Sequence, residues 1–116
     1  MISSLYYHSQ EYLFLSWDLC CRGKNSTYKV VVGRSRNVEG PYFDEDEKNL
    51  FHGGGSLVIK GNENWYGAGH CSVYTFDGED YLFLHAYDAG DEGRSKLKVK
   101  TIHWTSDGWP KVRPLD

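Results

Sequence analysis

One stretch of this sequence occurs twice, and that repeat restricts the fold more than any other feature. Tyr12-Leu13-Phe14-Leu15-Ser16-Trp17-Asp18 returns as Tyr81-Leu82-Phe83-Leu84-His85-Ala86-Tyr87-Asp88, an offset of 69 residues (81 − 12). Lys29-Val30-Val31-Val32 aligns with Lys98-Val99-Lys100-Thr101 at the same spacing, and Gly40-Pro41 aligns with Gly108-Trp109-Pro110 with the glycines 68 apart (108 − 40). Each unit reads as short strands. Tyr12–Trp17, Tyr28–Gly33, Ser56–Lys60, Ser72–Phe76, Tyr81–Ala86 and Leu97–Trp104 are rich in β-branched and aromatic residues. Turn signals separate them at Arg22-Gly23-Lys24-Asn25, Glu39-Gly40-Pro41 and Asp77-Gly78-Glu79-Asp80, and Asp77-Gly78 between two strand patterns marks a hairpin. No stretch keeps a helical period long enough to matter.

A repeat of this length, built from about four short strands, is the mark of a propeller blade. The expected fold is all-β: about two four-stranded antiparallel blades, residues 1–60 and 61–116, of a five-bladed β-propeller. Propellers close with four to eight blades, and two blades leave a face uncovered on each side. The expectation is therefore a fragment, a pairing with missing blades, or a homo-oligomer.

Composition removes several classes of function. The chain has 116 residues with 13 basic and 16 acidic side chains, a net charge of −3, so neither nucleic acid nor an anionic membrane is an expected partner. No apolar run reaches the roughly 20 residues of a membrane span. Met1 to Tyr7 lacks the basic start and apolar stretch of a secretion signal, and location is left unassigned, a secreted parent being compatible. Cys20, Cys21 and Cys71 are odd in number and include an adjacent pair, which suits neither a disulfide framework nor a zinc site. They read as free thiols packed in strands.

The order of these segments resembles the C-terminal part of glycoside hydrolase family 43 arabinanases. The resemblance rests on Tyr12–Tyr28 with its Cys20-Cys21-Arg22-Gly23 and Ser26-Thr27-Tyr28, on Val32–Tyr42, on Gly53-Gly54-Gly55-Ser56, on Trp65–Val73 with Gly67-Ala68-Gly69-His70, on His85-Ala86-Tyr87-Asp88, and on Asp107–Pro110. It implies a five-bladed propeller that cleaves α-1,5-linked arabinofuranose chains by inversion at the mouth of a central channel. Inversion needs an acid and a base, with carboxyl groups about 6.5–9.5 Å apart to admit a water. In the family the base lies on earlier blades, and the acid is a Glu shortly before the strand matching Tyr12–Trp17. Here Met1-Ile2-Ser3-Ser4-Leu5 holds no carboxylate, and Glu11 reads as a strand-mouth residue. No catalytic residue is expected in this chain.

The resemblance further implies that His70 points into the channel and binds a calcium or sodium ion held largely by water. Ala68 stands where the family commonly has Pro, and Cys71 where Asn is common. Cys21, Arg22, Ser26 and Trp17 match the segment bordering the substrate cleft and are the expected contacts to arabinan or arabino-oligosaccharide. His85 reads as packed in its strand or paired with a carboxylate. Asp88, Asp91 and Glu92 read as a solvated turn, Asp44–Glu47 as a solvated acidic loop, and Gly53–Gly55 as glycines admitting a close approach. Three roles follow: enzyme fragment inert alone, enzyme completed by another chain, or non-catalytic carbohydrate-binding half-propeller.

Overall fold

A computed structural model describes residues 2–17 and 28–116. Its first sheet runs in the order β1 (Ile2–Tyr7), β2 (Gln10–Trp17), β3 (Lys29–Ser35) and β4 (Ser56–Lys60); its second has β5 (Trp65–Phe76), β6 (Glu79–Asp88) and β7 (Arg94–Thr101). A small hairpin of β8 (His103–Trp104) and β9 (Pro110–Lys111) follows. Every pairing is antiparallel, and the only helical pieces among the described residues are 3-10 turns such as Leu50–His52 and Ala89–Asp91. The all-β expectation holds. The first sheet has four strands, whereas the second has three among the described residues, because the chain leaves β7 at Ile102 to form β8 and β9.

The repeat is a structural one. Tyr6 pairs with Glu11, and 69 residues on Thr75 pairs with Asp80. The two-residue turns correspond as well. His8 and Ser9 have φ of 46° and 67°, and Asp77 and Gly78 have 51° and 79°. Both turns need the left-handed region at both positions, the geometry that suits the twist of a two-residue hairpin. Only the second carries a glycine, which is why β1 and its turn were not read from the sequence. The third strand departs from the sequence alignment: Tyr12 pairs with Arg34 and Tyr81 with Thr101, an offset of 67 (101 − 34). Lys29 thus corresponds to Lys96, not Lys98. A slip of two residues keeps every side chain on its face, so the alternating pattern could not register it.

The sheets pack through opposite faces of the repeat. The first buries Tyr12, Phe14, Val30, Val32 and Ile59; the second buries Cys71, Val73, Leu82, Leu84 and Ala86. Each of the valines, leucines, Phe14 and Ile59 among them, taken fully out of water, contributes on the order of 1.5–3 kcal/mol. Tyr12 joins this core to the C-terminal hairpin. Its ring meets Trp104 and Trp109 edge-on, and its hydroxyl donates to the Gly108 carbonyl at 2.5 Å. Arg34 lies over the Trp109 ring at 4.2 Å and donates to the Asp107 carbonyl at 3.0 Å.

The β3–β4 connection corrects the reading of residues 44–47 as merely solvated. Asp44 is buried, and its carboxylate accepts from the amides of Asp46, Lys48 and Gly55 at 2.9, 2.9 and 2.8 Å. Burial acts to raise its pKa, but these amides and the Lys48 charge outweigh it and hold the carboxyl below its ordinary 3.8. The backbone folds here so tightly that a Cβ on Gly54 would stand 2.4 Å from the Lys48 carbonyl oxygen, which accounts for that glycine.

Two outcomes follow. Ser9→Gly should stabilise the protein by about 1 kcal/mol, since glycine takes the left-handed region without a Cβ clash; a melting curve a few degrees higher is the readout. Asp44→Ala should destabilise it by about 2 kcal/mol at neutral pH through the loss of bonds to a charged acceptor. Because the folded-state value is the depressed one, this contribution is complete above the unfolded value near 3.8 and fades as pH falls through the folded value. Urea titrations of both proteins should therefore differ at pH 7 and converge in strong acid.

Candidate functional site

The site is built at one end of the sheets, where β2 ends, β3 begins and β5 is irregular. The pairing of β5 with β6 shifts register between Tyr66 and Gly69 and again between Gly69 and Ser72. His70 lies between these shifts with φ of 53°, and Gly67 has φ of 57°. Bulges of this kind re-aim a side chain. The imidazole of His70 is thereby turned out to solvent and stacks on that of His85, with centroids 5.3 Å apart and planes 13° from parallel. His85 is thus exposed and stacked on a second imidazole, in place of the buried or carboxylate-paired role read for it.

The bulge is held by its neighbours. The Cys71 amide donates to Ser16 Oγ at 3.0 Å, and the Ser16 hydroxyl lies 3.4 Å from Cys71 Sγ. A Cβ on Gly69 would stand 2.2 Å from the Tyr28 ring, so only glycine lets β5 pass there. Cys71 is a buried free thiol, as read for it; burial pushes its pKa up, outweighing the lowering effect of Ser16. The structure therefore brings together Ser16, Tyr28, His70, Cys71 and His85. Sequence reasoning picked out Tyr28 as a strand start and as part of the Ser26-Thr27-Tyr28 motif, with a polar contact as its possible role, and gave Ser16 none, because a contact between β2 and β5 leaves no local pattern.

Trp17 is half-buried and follows Ser16, on the opposite face of β2; the Lys29 ammonium lies 5.9 Å from its ring centroid. Cys21, Arg22 and Ser26 lie outside the described residues. Glu11 pairs with Tyr6 beside the β1–β2 turn, six residues from Trp17 along β2 and so roughly 20 Å from this end. Asp88 and Asp91, in the β6–β7 turn at this end, are engaged: Asp88 accepts from the Gly90 amide at 2.9 Å, and Asp91 meets Lys96 at 2.7 Å. Among the described residues, no three His, Cys, Asp or Glu side chains gather as metal ligands. A hard cation takes six to eight oxygens, so His70 alone does not form such a site. A cleft of about 660 Å³ opens at the other end of β2 and β3, lined by Arg34, Arg36, Asp44, Glu45 and Trp109 among others, and away from the stacked histidines.

The geometry makes Cys71 a reporter. Its alkylation in the native protein should be slow and should rise sharply in denaturant, followed by mass spectrometry of its peptide. Ser16→Ala leaves the bulge amide without its acceptor and should cost about 1 kcal/mol or more, with faster Cys71 labelling.

No helix among the described residues is long and apolar enough to cross a membrane. The family model for glycosyl hydrolases family 43 matches residues 3–110. The chain is 57% identical over 101 residues to an extracellular exo-α-(1→5)-L-arabinofuranosidase of Cellvibrio japonicus, covering 87% of this chain and 29% of that protein. It is 42% identical to an extracellular endo-α-(1→5)-L-arabinanase of Bacillus subtilis, covering 90% and 31% respectively. Among solved structures, the α-L-arabinanase of Cellvibrio cellulosa in complex with arabinohexaose superimposes with a TM-score of 0.94 at 53% identity, over 97% of this chain and 36% of that one. The chain thus spans about a third of the length of these relatives. It belongs to glycosyl hydrolase family 43, and its two packed sheets are part of that family's five-bladed β-propeller.

Proposed function

We propose that this chain is the C-terminal part of a glycosidase that cleaves α-1,5-linked arabinofuranose chains by inversion, with the catalytic carboxylates supplied from outside these 116 residues. The observation that carries the reading is the 57% identity to a Cellvibrio japonicus protein described as an exo-arabinofuranosidase. The geometry supports it: Asp88 and Asp91 at the His70 end are tied to a backbone amide and a lysine, and Glu11 is at the other end of its strand. In this reading residues 1–60 and 61–116 are successive blades. The bulge of β5 presents His70 at the channel mouth, and Trp17, Cys21, Arg22 and Ser26 border the sugar chain.

His70 can offer one imidazole to a calcium or sodium ion, the other ligands being water or groups beyond this chain. What these residues do is position: Ser16 and Tyr28 hold the bulge, and the bulge aims His70.

The test is an assay of reducing ends released from linear arabinan. The chain alone should give no release above buffer. Adding the N-terminal two-thirds of the homologous Cellvibrio japonicus protein, itself inactive, should restore cleavage. Turnover by the repurified chain alone would place the carboxylates inside it and overturn the reading. Failure of the mixture, with both parts folded, would favour a carbohydrate-binding half-propeller, provided that arabino-oligosaccharides still bind.

A further inference from the structure

The cleft at the far end of β2 and β3 lies on the inner side of the first sheet, away from the outer faces that meet other blades. Gln10 and Tyr12 alternate onto one face of β2. Tyr12 pairs with Arg34, which puts Arg34 and Arg36 on that same face, Arg36 just past the end of β3. Phe43 bridges to Arg34 as a further rung and is 40% exposed. This is the face whose Tyr12 and Phe14 enter the core shared with the second sheet. The opposite wall is the turn of the C-terminal hairpin, with Trp109. Two contacts join floor to wall: Arg34 stacks on Trp109 and donates to the Asp107 carbonyl, and Lys111 meets Glu45 at 3.2 Å. Both walls belong to this chain.

The backbone around the cleft is held in place. Asp44 gathers the amides of Asp46, Lys48 and Gly55, and Ser56 Oγ accepts from the Glu45 amide at 2.9 Å, so the loop that carries Glu45 and Glu47 is braced. The volume, about 660 Å³, falls among those of small-ligand sites. The polar groups that line it are of both signs. Arg36 and Glu47 are exposed, and among the described residues their side chains hold no ion pair or hydrogen bond; the Gln10 carboxamide is likewise unengaged. A ligand with a net charge would meet like charge here: an anion faces Asp44, Glu45 and Glu47, and a cation faces Arg34 and Arg36. Unengaged donors and acceptors side by side suit groups that do both, and hydroxyls do both. The Phe43 ring adds an apolar plate for the C–H face of a sugar.

We infer that this cleft is a second, non-catalytic binding site for a neutral saccharide, an arabino-oligosaccharide held by Gln10, Arg36 and Glu47 over the Phe43 ring, at the end of the blades opposite His70. The choice of arabinose rests on the function proposed above. The cleft itself needs neither His70 nor carboxylates from outside the chain.

Titration of the isotope-labelled whole chain with arabinohexaose, followed by amide NMR, tests it. The amides of Arg36, Phe43, Glu45 and Glu47 and the Trp109 indole should shift in one saturable process, and added salt should barely change the affinity. Arg36→Ala and Glu47→Gln break no hydrogen bond or ion pair of the fold, and each should raise the dissociation constant about fivefold or more. Phe43→Ala should raise it about tenfold, whereas Glu63→Gln, exposed in the β4–β5 turn, should leave it unchanged. Spectra of the free variants check folding. Shifts confined to residues around His70 and Trp17, or affinity untouched by the cleft variants, overturn the inference. So does the absence of saturable shifts at millimolar arabinohexaose, or a cleft that takes trigalacturonate in preference. Arabinohexaose bound in the cleft with no cleavage of arabinan by the mixed parts removes the activity reading alone, and cleavage without cleft binding removes this one alone.

Discussion

The contact between the Phe14 face of the first sheet and the Leu84 face of the second is the interaction on which the remaining features rest. It brings β1 beside β5, where Ser3 Oγ accepts from the Val73 amide at 3.0 Å, and puts Ser16 within reach of the Cys71 amide. Without it the bulge amide would have no acceptor, and β5 would lose the support that holds His70 in a left-handed conformation. The aromatic cluster of Tyr7, Tyr12, Trp104 and Trp109 closes the far end of the same contact, with Tyr7 stacked on Trp104 at 3.8 Å. Core and site are thus two ends of one interface.

Much of the fold could be read from the residues, and the parts that could not share a cause. β2 and β6 carry the same dense pattern of aromatic and aliphatic residues, and Asp77-Gly78 announces its turn. The equivalent His8-Ser9 turn has the same backbone without glycine, so composition is silent there. The N-terminal half of β5 escaped because its register shifts break the period of two around Gly69. In β7 alternation was visible but its sense was not. Leu97 and Val99 look like core residues, whereas the lysines between them cover the inner side through their aliphatic stems. Which face of a strand is inside depends on what stands opposite, and pattern alone does not contain that.

The candidate site was legible in one residue. His70 stood out by resemblance, and the backbone around it gives a physical reason for its prominence. Two glycines and a positive φ at the histidine itself displace the ring from the ladder. What positions it comes from β2 and from Tyr28, far off in sequence. His85 follows the same logic, since its stacking on His70 is a product of register rather than of neighbouring residues.

The end of the chain is fastened to the beginning of the strand that carries this bulge. Asn62 donates to the Leu115 carbonyl at 2.6 Å, the Trp65 indole donates to the Asp116 carbonyl, and Leu115 is buried in the core. Polypeptide joined after Asp116 therefore departs beside Trp65. A purification tag or reporter placed there would pull on β5 at its root, whereas one joined ahead of Ile2 would load the edge of the other sheet and leave that anchorage undisturbed.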